Sequence, residues 1–192
     1  MLSKKQEKIF AHSLDEAKKS NLLFKHGCVA TYGGHIIASA YNTHKTYSSH
    51  DSFVDNQCSC HAEMGVLRKI YWRNSRKKRK QDRIMRRTTL YISRFSNGGA
   101  ITNSAPCSDC LQMIRNMQIR KIVFFMNNDY YEYDPMNYNT THKSFGQLSL
   151  LEKDGISSSF TPSPTTKSTY PPASQPASQP ASQPASQLVH SQ

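Results

Sequence analysis

Residues 88–126 read TTLYISRFSNGGAITNSAPCSDCLQMIRNMQIRKIVFFM. Thr88–Phe95 combines β-branched and aromatic residues, the composition of a strand. Asn97-Gly98-Gly99 breaks the run, and a loop extends to Pro106. Cys107–Gln118 then places Leu111, Ile114 and Met117 at helical spacing. Lys121–Met126 is short and almost wholly apolar, as expected of a strand covered on both faces. Working upstream, residues 3 to about 24 read as a helix capped by Ser3, with Ile9, Phe10, Leu14, Ala17 and Leu22 near one face, and His26-Gly27 stops it. Cys28–Tyr32 and His35–Tyr41 are β-rich runs around Gly33-Gly34, a two-residue hairpin signal. Residues 43–57 read as a loop, and Ala62 to about Trp72 as a helix with Met64, Leu67, Ile70 and Tyr71 on one side. Downstream of Met126 the signal weakens, apart from a short helix over Phe145–Leu151. The order α-β-β-α-β-α-β predicts an α/β fold: a three-layer α/β/α sandwich with a mixed central sheet.

The 192 residues divide unevenly. Residues 1–156 carry one core's worth of apolar side chains. Residues 157–192 have almost no large aliphatic residue before Leu188 and include four Pro-Ala-Ser-Gln units from Pro172 to Gln187. Proline at every fourth position stops helix and strand alike, so this stretch is expected to be a disordered low-complexity tail. Collagen, a long coiled coil and a wholly disordered chain are excluded. No stretch approaches the roughly 20 apolar residues of a membrane span, so no membrane partner is expected.

Charge is concentrated. Eleven Lys or Arg and one acid, Asp82, lie between Arg68 and Arg87, which is +10 of the net +12. Such a run suggests a local anionic partner, a nuclear import signal at Arg76–Lys80, or a solvated helix end. Met1–Lys5 is followed by no apolar segment of a secretory signal, and five cysteines make an odd number. Reduced thiols in a cytoplasmic protein are therefore expected, with metal binding or plain burial as their use.

The chemistry gathers at two expected helix starts. Cys60-His61-Ala62-Glu63 opens one and Pro106-Cys107-Ser108-Asp109-Cys110 the other. One imidazole and two thiolates supply three zinc ligands and leave a tetrahedral position open, as in catalytic sites. The free N–H groups of a helix start favour thiolate over thiol. Cys107 and Cys110 are three apart and point the same way. Glu63 is free to move a proton rather than bind metal.

His-x-Glu followed by Pro-Cys-x-x-Cys is the signature of zinc deaminases. Over roughly residues 8–127 the sequence resembles the cytidine and deoxycytidylate deaminase superfamily, which also includes tRNA adenosine deaminases. The resemblance implies Zn²⁺ held by His61, Cys107 and Cys110, with Glu63 as the catalytic proton carrier. It also implies a substrate contact from Asn42, since members often carry an asparagine at the end of the second strand, matched here by Ala40-Tyr41-Asn42. A turn-favouring role for Asn42 is the alternative. Cys60-His61-Ala62-Glu63-Met64 looks most like the deoxycytidylate version. Two departures bear on the pocket wall: Gly65 stands where such enzymes usually have asparagine, and the link from Ser93 to Pro106 is long. Some nucleotide deaminases hold a second, structural zinc, for which His44, His50, Cys58 and Cys60 are the nearby residues, although their spacing is not compact. Tyr130, Tyr131 and Tyr133 either stack on a base or cover the end of the sheet.

The expected function is zinc-dependent hydrolytic deamination of a cytosine nucleotide of the dCMP or CMP type, by an enzyme that the resemblance makes a homo-oligomer. The alternative is a deaminase of tRNA or single-stranded polynucleotide, engaged through residues 68–87. A non-catalytic zinc-stabilised nucleic-acid module is a third class, and it leaves Glu63 unexplained.

Overall fold

The computed structural model describes residues 2–48, 58–96 and 98–153. The expected tail at 157–192 and most of the later part of the 43–57 loop lie outside the described residues. The elements are α1 (Lys4–Lys18), β1 (Lys25–Tyr32), β2 (His35–Tyr41), α2 (Ala62–Arg73), α3 (Lys78–Met85), β3 (Thr88–Phe95), α4 (Ser108–Asn116), β4 (Lys121–Met126), β5 (Asp129–Tyr133) and α5 (Phe145–Lys153). The sheet runs β2-β1-β3-β4-β5. It is mixed, as expected: β3 and β4 are parallel, and every other neighbouring pair is antiparallel.

Helices cover both faces. Ile9 and Phe10 of α1 pack on Val29, Tyr91 and Val123. On the other face Val66, Leu67 and Ile70 of α2, with Leu111 and Ile114 of α4, cover Cys28, Ala30, Leu90, Ile92, Ile122 and Phe124. Each such fully buried aliphatic or aromatic side chain contributes about 1.5–3 kcal/mol. The alternation along β4 explains its unbroken apolar run, because Ile122 and Phe124 face α2 and α4 while Val123 faces α1.

Four local expectations change. First, α1 begins as expected, with Ser3 and Gln6 forming a reciprocal cap, but it ends at Lys18. Ser20 is buried and its hydroxyl donates to the Asn42 carbonyl at 3.0 Å, which turns the chain early toward the sheet. Second, β1 begins at Lys25, so His26 and Gly27 are strand residues rather than a helix stop. A Cβ at Gly27 would lie 2.0 Å from the Ser13 carbonyl oxygen and 2.6 Å from the Ala17 nitrogen, so only glycine lets α1 pack so close. Third, the basic run does not extend α2 but forms α3, anchored by buried Gln81 and Met85. Gln81 donates to the Tyr71 carbonyl at 3.0 Å, while Arg76–Lys80, Arg83, Arg86 and Arg87 are exposed.

Fourth, β5 has no counterpart in the sequence reading. Asn127 and Asn128 take φ of 50° and 61° and turn β4 into an edge strand, as Gly33 and Gly34 (57° and 76°) do between β1 and β2. Tyr131 and Tyr133 stack on Phe124, with ring centroids 6.3 and 5.8 Å away. These tyrosines cover the sheet. Among the described residues no helix is long and apolar enough to cross a membrane.

Candidate active site

Because β3 and β4 are parallel, their C-terminal ends meet at one edge of the sheet. In open α/β sheets that edge is where ligands gather. Two local devices bring α2 and α4 to it. Thr43 and Cys60 exchange backbone hydrogen bonds at 3.0 Å, which ties the residue before His61 to the one after Asn42. Ser104 is buried between the strand ends: its hydroxyl donates to the Ile92 carbonyl at 2.7 Å and accepts from the Phe125 N–H at 3.0 Å. This anchors the chain just ahead of Pro106-Cys107. The long link from Ser93 is thus pinned at its far end, and sequence reasoning missed Ser104 because its partners lie twelve and twenty-one residues away.

His61 and Cys107 are the N-cap residues of α2 and α4, in extended conformations, and neither side chain caps its own helix. Both turn instead to a common point. His61 Nδ1 lies 3.2 Å from Cys110 Sγ and 3.5 Å from Cys107 Sγ, and the three ligand atoms all fall within 4.8 Å of one another. A tetrahedral zinc with ordinary bond lengths would separate nitrogen from sulfur by about 3.6 Å, so the donor set fits that ion. Hydrogen bonding from Cys110, and then from His61, pulls the Cys107 thiol well below its ordinary range, while the same bond and burial push Cys110 up. Burial acts to lower His61, but the Cys107 contact and the charges of Glu63, Cys107 and Asp109 outweigh it and raise the imidazole to about 8.

Glu63 stands in the first turn of α2 and is 3% exposed. Burial raises its pKa, with the neighbouring His61 charge opposing the shift. Its Oε2 is buried and has no hydrogen-bond partner among the described residues. An orphaned carboxylate oxygen beside three converging soft and borderline donors fits a centre completed by a metal and its water.

The other sequence-predicted residues are not among these donors. Asn42 is buried at the end of β2, where its Oδ1 accepts from the His26 N–H at 2.9 Å and its Nδ2 donates to the Phe24 carbonyl at 2.6 Å. One acceptor and one donor position of its amide are thereby used and one of each remains. Gly65 lies against the sheet, where a Cβ would come 2.9 Å from that of Ala40, so helix packing accounts for its lack of a side chain. Cys58 is exposed with its thiol 3.1 Å from the Gly146 carbonyl, and Cys60 Sγ lies 3.6 Å from the His61 carbonyl. Among the described residues these do not converge with His44 on a second metal position, and His50 lies outside them.

The model of the cytidine and deoxycytidylate deaminase zinc-binding region matches residues 3–126. Among solved structures, the apo dCMP deaminase of the cyanophage S-TIM5 matches at 21% identity over 64% of this chain and 82% of that one, with a TM-score of 0.43. No curated protein matches the chain. The match over residues 3–126 spans both helix starts and both strands that position them, and Zn²⁺ is the metal of that region. The chain therefore belongs to the cytidine and deoxycytidylate deaminase family.

Proposed function

We propose that the protein hydrolytically deaminates a cytosine nucleotide of the dCMP or CMP type, replacing the 4-amino group with oxygen from water and releasing ammonia. The observation that carries this reading is Glu63: a buried carboxylate with one unpartnered oxygen, beside a group of three zinc donors and not one of them. His61, Cys107 and Cys110 would hold the metal. Zinc, when bound, supplies the Lewis acidity that makes water a nucleophile near neutral pH. Glu63 would then have the proton work: it takes one proton from water and delivers it to ring N3, then takes the second proton of that water from the new C4 hydroxyl and gives it to the departing amine, which leaves as ammonia. The raised pKa that burial gives Glu63 suits a group that must both accept and return a proton. Asn42 orients the nucleoside through the amide hydrogen and lone pair that the backbone leaves over.

A small substrate does not call on the exposed cations from Arg76 to Arg87: they follow the C-terminus of α2, whose twelve residues separate them from His61 by about 18 Å at roughly 1.5 Å per residue, beyond the reach of a mononucleotide held at the site. The same reading places the enzyme in the cytoplasm, where thiols stay reduced, and makes it a homo-oligomer, to be measured by light scattering. The deciding assay incubates the zinc-loaded protein with dCMP, CMP, cytidine, dCTP, AMP and a tRNA pool. Ammonia and a uracil nucleotide from dCMP or CMP are the expected result. Turnover of tRNA or AMP alone would overturn it.

A further inference from the structure

Beside the candidate active site, one pair of side chains is left without a role. Across β1 and β3, His26 is paired with Arg94, and two residues further in Cys28 is paired with Ile92. Cys28 and Ile92 face α2 and α4 in the core. Side chains alternate along a strand, so His26 and Arg94 lie on that same face, one step beyond the core. That step ends at the sheet edge where α2 and α4 begin. Charge confirms the neighbourhood: His26 is lowered to about 3 by burial first, and then by the positive charges of Arg94, His61 and His142.

Arg94 is only partly exposed. Its guanidinium carbon sits 4.8 Å above the Phe24 ring, which occupies one face of the planar group. Its Nε is buried, and among the described residues it has no hydrogen-bond partner and no carboxylate pairs with it. Burial lowers its pKa, and among the described residues no anion opposes the shift. A partly buried cation without a counter-charge is costly, and a guanidinium edge with free donors matches the oxygens of a phosphate.

We propose that Arg94 is the specificity residue for a phosphate on the substrate, receiving its oxygens at the rim of the site formed by His61, Glu63, Cys107 and Cys110. This rests on the deaminase reading of that site. The phosphate comes either from a free nucleotide or from a polynucleotide backbone, and the chemistry of the contact is the same.

The test uses the full chain loaded with zinc and carrying Glu63→Gln, so that ligands bind without turnover. Calorimetry compares dCMP with deoxycytidine, dAMP with deoxyadenosine, and an unphosphorylated oligonucleotide holding a single cytosine. With Arg94 intact the phosphorylated member of a pair should bind more tightly. Arg94→Gln should reduce the dCMP-to-deoxycytidine affinity ratio about 10- to 100-fold, the range for a hydrogen-bonded charge. Arg94→Lys keeps the charge but loses the planar fork, and should show an intermediate ratio; it also serves should the glutamine variant fail to fold. A loss confined to the oligonucleotide assigns the contact to a backbone phosphate. A phosphate preference that depends on Arg94 but appears only with the adenine pair sustains the role of Arg94 while removing the cytosine reading. If neither substitution changes any mononucleotide-to-nucleoside ratio or the affinity for the oligonucleotide, the proposal is overturned.

Discussion

At the N-terminus of α2, Glu63 is buried and His61 partly so; His61 converges with Cys107 and Cys110 at the start of α4, and Glu63 lies against Cys110. At its C-terminus the cations from Arg76 to Lys80 and along α3 stand in solvent, with Lys78 and Asp82 paired at 3.1 Å. The second end carries far more charge, yet the first gathers the donors on which the proposed chemistry rests. Exposed charges are hydrated and screened, whereas burial and convergence shift proton affinities and leave donors unsatisfied. A count of charges therefore points away from the donor group. What marks the first end is a set of titratable groups brought together and largely out of water.

The comparison breaks most readily at the metal. Purified protein should hold about one zinc per chain, and His61→Ala or Cys107→Ala should release it, since a three-ligand site cannot spare one. Turnover should vanish with the ion. Full zinc content in both variants, measured by plasma mass spectrometry, would remove the ligand assignment.

Next in size is the proton role proposed for Glu63. Glu63→Gln should retain zinc and fold while losing about 10²- to 10⁴-fold in turnover, because an amide cannot relay a proton. A rate near that of the parent enzyme would refute the role given to Glu63.

A smaller effect separates the two uses of Asn42. Removing its amide in Asn42→Ala leaves the His26 N–H and Phe24 carbonyl without those partners and should destabilise the fold by about 1–3 kcal/mol. Thermal melting measures that loss, and KM for dCMP measures substrate contact. A lowered Tm with unchanged KM would make Asn42 a purely structural residue.

The smallest effect belongs to the charged end. Replacing Arg76, Lys77, Lys78, Arg79 and Lys80 together by glutamine should change kcat/KM for dCMP by less than about twofold. The separation of about 18 Å is more than twice the screening length of about 8 Å at physiological salt. A large fall in dCMP turnover at constant zinc content would join the two ends functionally.

Much of the fold was legible because its signals are local. The β2, β3 and β4 boundaries coincide with the runs read from composition, and Gly33-Gly34 makes the expected hairpin. The misses have tertiary causes. Ser20 ends α1 through a partner twenty-two residues away, and Asp129–Tyr133 is a strand because β4 offers it an edge. A signal for β5 was present in Asn127-Asn128, since asparagine tolerates the left-handed turn that two-residue hairpins require. Gly65 looked like a change in the pocket, yet it is set by the approach of α2 to Ala40.

By itself the sequence determined the alternation of helix and strand, the two helix starts, and the residue types that can hold zinc and move a proton. These follow from spacing along a few turns of chain, where geometry is nearly fixed by covalent structure. Only the tertiary structure decided that His61 and Cys110, forty-nine residues apart, come within 3.2 Å, and that Glu63 keeps an unpartnered oxygen beside them. It also decided that Arg94 lies opposite His26 and that the basic run forms a helix of its own at the far end of α2. Such relations depend on which strands pair and which faces are buried. Both are set by the packing of the whole core, which no local window of sequence contains.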